Sequence, residues 1–375
     1  HQERADGRGS EIVQMAMISC LTAVKDLMPG YAIRALSAEE QTALVSKEVK
    51  AVRSFEQSFL SHYKTFLQRL HKNSSQGDDE AIRYVAIVCL ADLLVSAGHF
   101  NGYEDIVKWV ALAALGNNSK IADHCCQAII KTFKEDQFGR NTASIIRCMS
   151  DIIKDRDYQA SGRALNCFLE ARIRTDIAGQ LPNAKVVKAP RGKKNMSKRE
   201  KKEMKKRLVE LQKISDAEAL VSKEEQEKWN SDALRYLFRV YFGILKKQKA
   251  TSEAPSTNAA TAEVMQAVLK GLAHFAHLIS KEEYFGDLLR ALKAVIDSSD
   301  KTMCLSLEAS FQLILTVARI QAMQERALAV DIKFIYTYLF HQLDRMKPQK
   351  GSLQWDPQST GSLLGEVLKI LLGPR

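Results

Sequence analysis

The sequence predicts an all-α protein, built as a degenerate HEAT- or armadillo-like helical-repeat solenoid in two parts that a basic linker and helix join. Three observations support this prediction. Proline is absent from the spans 30–181 and 191–254, so long helices meet no break there. Apolar residues recur at spacings of three and four along most of the chain. No convincing stretch alternates apolar and polar residues as a half-buried strand would.

The first long helical pattern covers residues 38–72 and predicts a single helix. It ends in NSSQGDD, residues 73–79, whose glycine, serines and aspartates favour a turn. After residue 102, shorter helices follow one another at regular intervals. Each helix with its turn takes about 18–21 residues, so that a pair takes about 40, the length of a HEAT-like hairpin. The predicted helix starts follow the turns HFNG, GNNS, DQFGRN and KDRDY, and lie near Gly102, Lys120, Asn141 and Gln159.

The second half of the chain carries its clearest helical face in the segment SDALRYLFRVYFGILKK. Five apolar residues of this segment fall on one side of a helix: Leu234, Leu237, Phe238, Tyr241 and Leu245. Helical patterning then resumes in four later segments: Val264–Ile279, Phe285–Ile296, Leu305–Ile320 and Val330–Met346.

Two interruptions divide the chain. Residues 179–195, GQLPNAKVVKAPRGKKN, hold two prolines, two glycines and many lysines, which is typical of a linker. We therefore expect an N-terminal helical-repeat domain over 1–178, a basic linker and helix over 179–214, and a C-terminal helical-repeat domain over 215–375. Residues 249–262, KATSEAPSTNAATA, have few large apolar side chains and predict a mobile loop inside the last domain.

The positive charge of the chain is concentrated in one segment. The 375 residues carry a formal net charge of +11. Residues 185–207 alone hold twelve basic and two acidic residues, so the remainder is close to neutral. This distribution argues against a protein that coats nucleic acid over its whole surface. The apolar runs are far shorter than the roughly 18 residues that a membrane span needs, so we expect a soluble protein without a membrane partner.

Residues that would indicate catalysis or metal binding are scarce. The chain contains no P-loop, GxGxxG, HExxH or GxSxG string. His274 and His277 share a predicted helix, but no cysteine or carboxylate at one-turn spacing completes a metal set. The seven cysteines form no CxxC pair and most lie inside apolar helical patterns, which favours reduced core thiols. We therefore expect neither an enzyme nor a cofactor.

The basic segment is the candidate contact with nucleic acid. Ser197 and Glu200 have the spacing of a capping box, and Met204, Leu208 and Leu211 form a narrow apolar seam behind them. No aromatic residue is interleaved for base stacking, so we expect phosphate contacts without sequence readout. A nuclear import signal is an alternative interpretation of the same residues. The predicted nucleic-acid contacts are Arg191, Lys193, Lys194, Lys198, Arg199, Lys201, Lys202, Lys205, Lys206 and Arg207.

The candidate contact with a partner protein lies on the helix YLFRVYFGIL. Tyr236 and Phe242 fall outside its main apolar stripe, so the helix is apolar on more than one face. Such surplus apolar surface indicates either a second protein chain or packing between the two halves of this one. The sequence leaves both open.

Several stretches, in this order, resemble the nucleolar complex protein 3 family. They are CLTAVKDLMPGYAIRALSAEE with VSKEVKAVRSFEQSFLSHYKTFLQRL, then FKEDQFGRNTASIIRCMSDIIK, then MSKREKKEMKK with LRYLFRVYFGILKK, and last VLKGLAHFAHLISKEEYFGDLLRALKAVI. Together they cover about residues 15–345. Ala32 and Gly243 stand where the family usually has arginine.

The resemblance implies a non-enzymatic helical-repeat protein of the nucleus and nucleolus. It implies a nucleolar complex protein 2-like partner, together with the pre-ribosomal particle and its rRNA. Members of the family assist maturation and intranuclear transport of large ribosomal subunit (pre-60S) precursors. They are also linked to chromatin and replication-licensing proteins, so a chromatin-associated replication-licensing scaffold is the alternative function.

Overall fold

The computed structural model describes residues 2–34, 46–76, 79–173, 223–247, 259–275, 307–322, 333–346 and 357–372, with the single positions 278, 290, 292, 293 and 296. Every regular element within these ranges is helical, which confirms the predicted all-α class. The HEAT or armadillo type of the repeat stays a prediction. In chain order the helices are α1 (Gln2–Leu27), α2 (Lys47–Gln76), α3 (Glu80–Ser96), α4 (Tyr103–Ala114), α5 (Ser119–Glu135), α6 (Arg140–Asp155), α7 (Gly162–Cys167), α8 (223–247), α9 (Ala259–Phe275), α10 (Leu307–Ala322), α11 (Lys333–Arg345) and α12 (Pro357–Leu372).

The described helices stack in two layers. One layer runs α1, α3, α5, α7, α9, α10 and α12, each helix packed on the next. The other contains α2, α4, α6 and α8: α4 packs on α6, and His71 of α2 stacks on Trp109 of α4 with 4.3 Å between ring centroids. The remaining helix, α11, packs on α10. The buried apolar side chains form one cluster that extends from Met17 in α1 to Val367 in α12. Among the described residues, no helix is both long and apolar enough to span a membrane.

Three helices begin within one residue of the positions that the turns in the sequence predicted. α4, α5 and α6 begin at Tyr103, Ser119 and Arg140. Gly102 and Gly139 precede α4 and α6 with φ of 76° and 83°, a left-handed backbone that glycine adopts without strain. Local sequence alone therefore specifies where these helices start.

The α5–α6 turn is further fixed by Asp136. Its carboxylate accepts hydrogen bonds from the backbone N–H of Gly139 at 3.0 Å and of Thr142 at 2.7 Å, and from the Thr142 hydroxyl at 2.8 Å. The first backbone N–H groups of a helix have no partner inside the helix. Asp136 satisfies one of them from outside and thereby fixes the direction in which α6 leaves the turn.

Several predicted boundaries differ from the structure. The predicted single helix over 38–72 is wrong at Ser46, which is not helical: its hydroxyl accepts a hydrogen bond from the backbone N–H of Val49 at 3.3 Å, and α2 begins at Lys47. α7 begins at Gly162 and not near Gln159, because the left-handed Asp157 and Tyr158 extend the turn and the Ser161 hydroxyl caps the helix. α2 continues past the predicted end at 72 to Gln76, since the hydroxyls of two serines bond back to the carbonyl of residue 71 and keep the last turn helical. α9 begins at Ala259, so the last residues of the predicted loop 249–262 are helical; three alanines there favour a helix.

The predicted division at 179–214 falls on residues outside the described ranges, as does most of the predicted helix Phe285–Ile296. The proposed domain boundaries stay predictions. On either side of 174–222 the two parts touch, because α7 packs on α9 and side chains of α6 bond to α8.

Candidate interaction site on α8

α8 buries apolar side chains on two sides, which gives it a different role from a helix at the edge of a stack. The predicted stripe is buried from Leu237 through Phe238 and Tyr241 to Leu245. A second set, Ala233, Val240 and Ile244, is also buried. A helix with two apolar faces lies between neighbours, and here those neighbours include α6 and α9.

Polar side chains join α8 to α6. The buried Ser150 donates its hydroxyl hydrogen to the backbone carbonyl of Tyr236 at 3.2 Å. Asp151, one residue later, accepts a hydrogen bond from Arg239 at 3.2 Å. The Asp151–Arg239 ion pair is partly exposed, so it contributes at most about 1 kcal/mol. The Ser150 bond lies inside the interface and fixes the register of the two helices more firmly.

Tyr236 lies among three arginines. The guanidinium carbons of Arg239, Arg235 and Arg147 lie 4.8, 5.1 and 6.0 Å from the centre of its ring. Each such contact stabilises by about 0.5–1 kcal/mol at an exposed site. Arg147 belongs to α6, so the half-buried tyrosine ring also joins the two helices. Arg239 also pairs with Asp151 and Arg235 with Asp232, so the surface around Tyr236 combines an aromatic ring with arginines whose charge is partly balanced by carboxylates.

Phe242 is half-buried and stacks on the buried Phe238, with ring centroids 5.9 Å apart and planes 26° apart. It packs against the same core as the rest of α8. Both predicted partner-binding residues, Tyr236 and Phe242, thus make contacts within this chain and keep part of their surface in solvent. Their role in binding a partner stays a prediction.

Two glycines allow aromatic rings to approach the helix backbones closely, and sequence reasoning did not find this. A Cβ atom at Gly243 would lie 1.8 Å from a ring carbon of Tyr158. A Cβ atom at Gly271 in α9 would lie 2.1 Å from the hydroxyl oxygen of Tyr241. The signal present in the sequence was Gly243 itself, where the resembled family usually has arginine.

Tyr241 carries a buried hydroxyl that bonds to no described atom. Burial raises the pKa of this phenol above its ordinary value, so the ring stays neutral. Tyr63 and Tyr103 in the first half of the chain also have buried hydroxyls that bond to no described atom, and burial likewise raises the pKa of each. These three phenols contribute to packing and are not poised for proton transfer.

The cysteine side chains are mostly buried, as the apolar patterns around them predicted. Cys89, Cys125, Cys126 and Cys167 are buried, while Cys20 is exposed. Burial raises the pKa of Cys125 to about 12, which keeps its thiol protonated and unreactive. Cys304 lies outside the described residues.

The two predicted helix histidines are only partly described. His274 is exposed and meets Phe275 edge to face at 4.7 Å, and His277 lies outside the described ranges. Within the ranges that the structure covers, no three His, Cys, Asp or Glu side chains come together as a metal site would require.

The basic segment is not covered by the structure. All ten residues predicted to contact nucleic acid, Arg191 through Arg207, lie outside the described ranges. α8 is the next described element after them and begins at residue 223.

The fold and the site first define a class of protein: an all-α helical-repeat protein that presents aromatic rings and arginines on one helix. Comparison with known proteins shows which family the chain resembles. Residues 2–66 match the family model described as nucleolar complex-associated protein. The nucleolar complex protein 3 homolog of Danio rerio is 33% identical over 88% of this chain and 42% of its own length.

The similarity extends across eukaryotes. The nucleolar complex protein 3 homolog of Homo sapiens is 28% identical over 89% of this chain and 42% of its own length. The nucleolar complex-associated protein 3 of Arabidopsis thaliana is 26% identical over 97% of this chain and 47% of its own length. The resemblance to the nucleolar complex protein 3 family is thus confirmed along most of the chain, and it indicates a nuclear, nucleolar localisation. The chain spans less than half the length of these relatives.

Proposed function

We propose that this chain is the helical scaffold of a factor that assembles large ribosomal subunit (pre-60S) precursors and helps to move them within the nucleus. It acts by binding and catalyses no reaction. The similarity to nucleolar complex protein 3 over 88% of the chain is the observation that carries the proposal. The stacked helices support it, because such stacks present extended surfaces to partners.

The RNA contact belongs to the basic segment. Ten basic residues within seventeen supply dense positive charge for the phosphates of pre-ribosomal RNA. Without aromatic residues the segment reads no base, so it holds the RNA in place and leaves specificity to the other parts of the particle.

Measuring RNA affinity at several salt concentrations tests this contact. The test variant changes four lysines of the segment to glutamate: Lys201, Lys202, Lys205 and Lys206. The matched control changes four exposed lysines elsewhere: Lys64, Lys72, Lys120 and Lys154. The test variant should lose affinity for structured RNA, and its log–log salt slope should fall by roughly 3 to 4, because four phosphate contacts are lost. The control should keep both. If the test variant keeps its RNA affinity and salt slope and loses only nuclear import, the segment serves as a nuclear import signal and not as an RNA contact.

The protein partner in this proposal is a nucleolar complex protein 2-like protein that packs on α8. The half-exposed rings of Tyr236 and Phe242, with the arginines around Tyr236, supply the aromatic and arginine contacts that dominate many interfaces. The competing interpretation is that these rings serve only the contact between α8 and the rest of this chain.

Phe242→Asp separates the two interpretations, with Phe340→Asp on α11 as the matched control because Phe340 is exposed. If Phe242→Asp keeps the melting temperature but releases the copurifying nucleolar complex protein 2-like protein, the interface is on α8. If it unfolds the protein, Phe242 serves internal packing. The alternative function, replication licensing on chromatin, predicts crosslinking to replication origins and not to rRNA precursors.

A further inference from the structure

Two cysteines that are distant in sequence meet between α5 and α7. Cys126 lies inside α5, and Cys167 is the last residue of α7, 41 positions later. The Cys167 sulfur lies 4.0 Å from the backbone carbonyl oxygen of Cys126, and the two thiols share a hydrogen bond. Both side chains are buried. Two thiols in this arrangement can do more than fill the core, because neighbouring sulfurs can form a disulfide bond.

Arg163 fixes the two helices against each other beside this pair. Its Nε atom lies 2.8 Å from a carboxylate oxygen of Asp123. Its other two nitrogens donate to the backbone carbonyl and the hydroxyl of Ser119, at 3.2 and 3.0 Å. Arg163 belongs to α7, whereas both of its partners belong to α5. These contacts oppose sliding of α7 along α5, so Cys167 stays next to Cys126.

One thiol of the pair ionises more readily than an ordinary cysteine. The hydrogen bond with Cys167 lowers the pKa of Cys126, and the positive charge of Arg163 lowers it too, while burial and a nearby carboxylate act in the opposite direction. The same hydrogen bond, together with burial, raises the pKa of Cys167. Elsewhere in the core, burial raises the pKa of Cys89 to about 11. Since peroxides oxidise the thiolate form of cysteine, Cys126 is the thiol of this pair that reacts first.

We propose that Cys126 and Cys167 form a reversible disulfide when the protein meets hydrogen peroxide, and that this bond joins α7 covalently to α5. The Cys126 thiolate attacks one peroxide oxygen and becomes a sulfenic acid, while the other oxygen leaves as hydroxide and takes up a proton to give water. The Cys167 thiol then attacks the sulfenic sulfur, a second water leaves, and the S–S bond forms. Peroxide accepts the two electrons that the thiols lose. Reducing conditions keep the pair as thiols, so the disulfide forms only where peroxide is supplied.

The position of α7 determines what the disulfide does. α7 packs on both α5 and α9, so it connects the helices before residue 174 with those after residue 222. It has only six residues, and such a short element opens locally more easily than its longer neighbours. This opening admits peroxide to the buried sulfurs, and the disulfide that forms then suppresses it. The inference stands apart from the proposed function, because none of the basic segment, Tyr236 or Phe242 takes part in it.

Peptide mapping of the oxidised protein tests the proposal. Reduced protein is treated with hydrogen peroxide, the remaining thiols are blocked in denaturant, and the chain is cut with trypsin without reduction. Cys126 then lies in the peptide 121–131 and Cys167 in the peptide 164–172. Mass spectrometry should find these two peptides linked, at least about tenfold more abundantly than any other pair, because their thiols are already in contact. Dithiothreitol should separate them.

Two matched variants identify the cysteine that reacts, since Cys125 shares the peptide 121–131. Cys125→Ala removes the adjacent buried thiol and should leave the linked pair unchanged, whereas Cys126→Ala should abolish it. In the wild-type protein, peroxide should raise the melting temperature by roughly 5 °C or more, because the closed loop restricts the unfolded chain. Cys126→Ala should show no such rise. If either variant fails to fold, fragmentation of the linked wild-type peptides shows which cysteine carries the bond.

Three results would overturn the proposal. Oxidation of Cys126 to sulfinic acid, or its survival as a thiol, without any linked pair would show that the two cysteines serve packing only. A linked pair that persists in Cys126→Ala would assign the bond to Cys125. A linked pair that forms only in urea, or one that leaves the melting temperature unchanged, would show that the folded protein does not hold α7 and α5 in position for the bond.

Discussion

Gly243 offers a sharp test of the packing between α8 and the turn before α7. Alanine is ordinarily better than glycine inside a helix by about 1 kcal/mol. At position 243, however, the added Cβ would lie 1.8 Å from the ring of Tyr158, far inside van der Waals contact. Overpacking of this kind costs about 1–3 kcal/mol. Gly243→Ala should therefore lower the free energy of unfolding, against the helix propensity.

Two further variants isolate the cause. Gly365 in α12 has no heavy atom within 4 Å of its added Cβ, so Gly365→Ala should raise the free energy of unfolding by about 0.5–1 kcal/mol. In a Tyr158→Ala background the clash is gone, and Gly243→Ala should become stabilising as well. Equilibrium unfolding in urea measures each difference. If Gly243→Ala stabilises the protein as much as Gly365→Ala does, the described approach of Tyr158 to α8 is wrong.

Three other predictions concern single side chains. Asp136→Ala should lower the free energy of unfolding by about 1–3 kcal/mol in a urea titration, because the backbone and hydroxyl of Thr142 lose their acceptor; an unchanged midpoint would contradict this. In the native protein the exposed Cys20 should be alkylated long before Cys125, because burial and a pKa of about 12 keep the Cys125 thiol protonated and unreactive. Peptide mass spectrometry measures both alkylation rates, and equal rates would contradict this prediction. The free energy of unfolding should fall as the pH rises above 10.0, the ordinary pKa of tyrosine. Buried phenols such as Tyr241 stay protonated in the folded protein but ionise in the unfolded chain, which favours unfolding. Tyr241→Phe should reduce that fall.

The fold class and several helix starts could be predicted because they depend on local sequence. The helix starts depend on nearby glycines, Gly102 and Gly139, and the helix itself on apolar spacing such as that along α8. Each of these features lies within a few residues of the structure that it determines, so the sequence shows it directly. The later start of α7 could not be predicted in the same way. It depends on Asp157 and Tyr158 adopting a left-handed backbone that non-glycine residues rarely take.

The candidate site was predicted only in part, because its environment comes from residues distant in sequence. The excess apolar surface of α8 was visible, and it marked Tyr236 and Phe242. The sequence did not reveal that Arg147, about ninety residues earlier, would lie beside Tyr236, or that Gly271 would face Tyr241. Such contacts depend on how the layers stack, and no local pattern encodes them.

The central proposal is that this chain belongs to the machinery that builds the large ribosomal subunit. Crosslinking of the tagged protein to nucleic acid in living cells, followed by sequencing, tests it most directly. The account predicts recovery of large-subunit rRNA precursors, reduced when Lys201, Lys202, Lys205 and Lys206 are changed to glutamate while nuclear localisation is kept by an added import signal. Recovery of replication-origin DNA without rRNA precursors would contradict it.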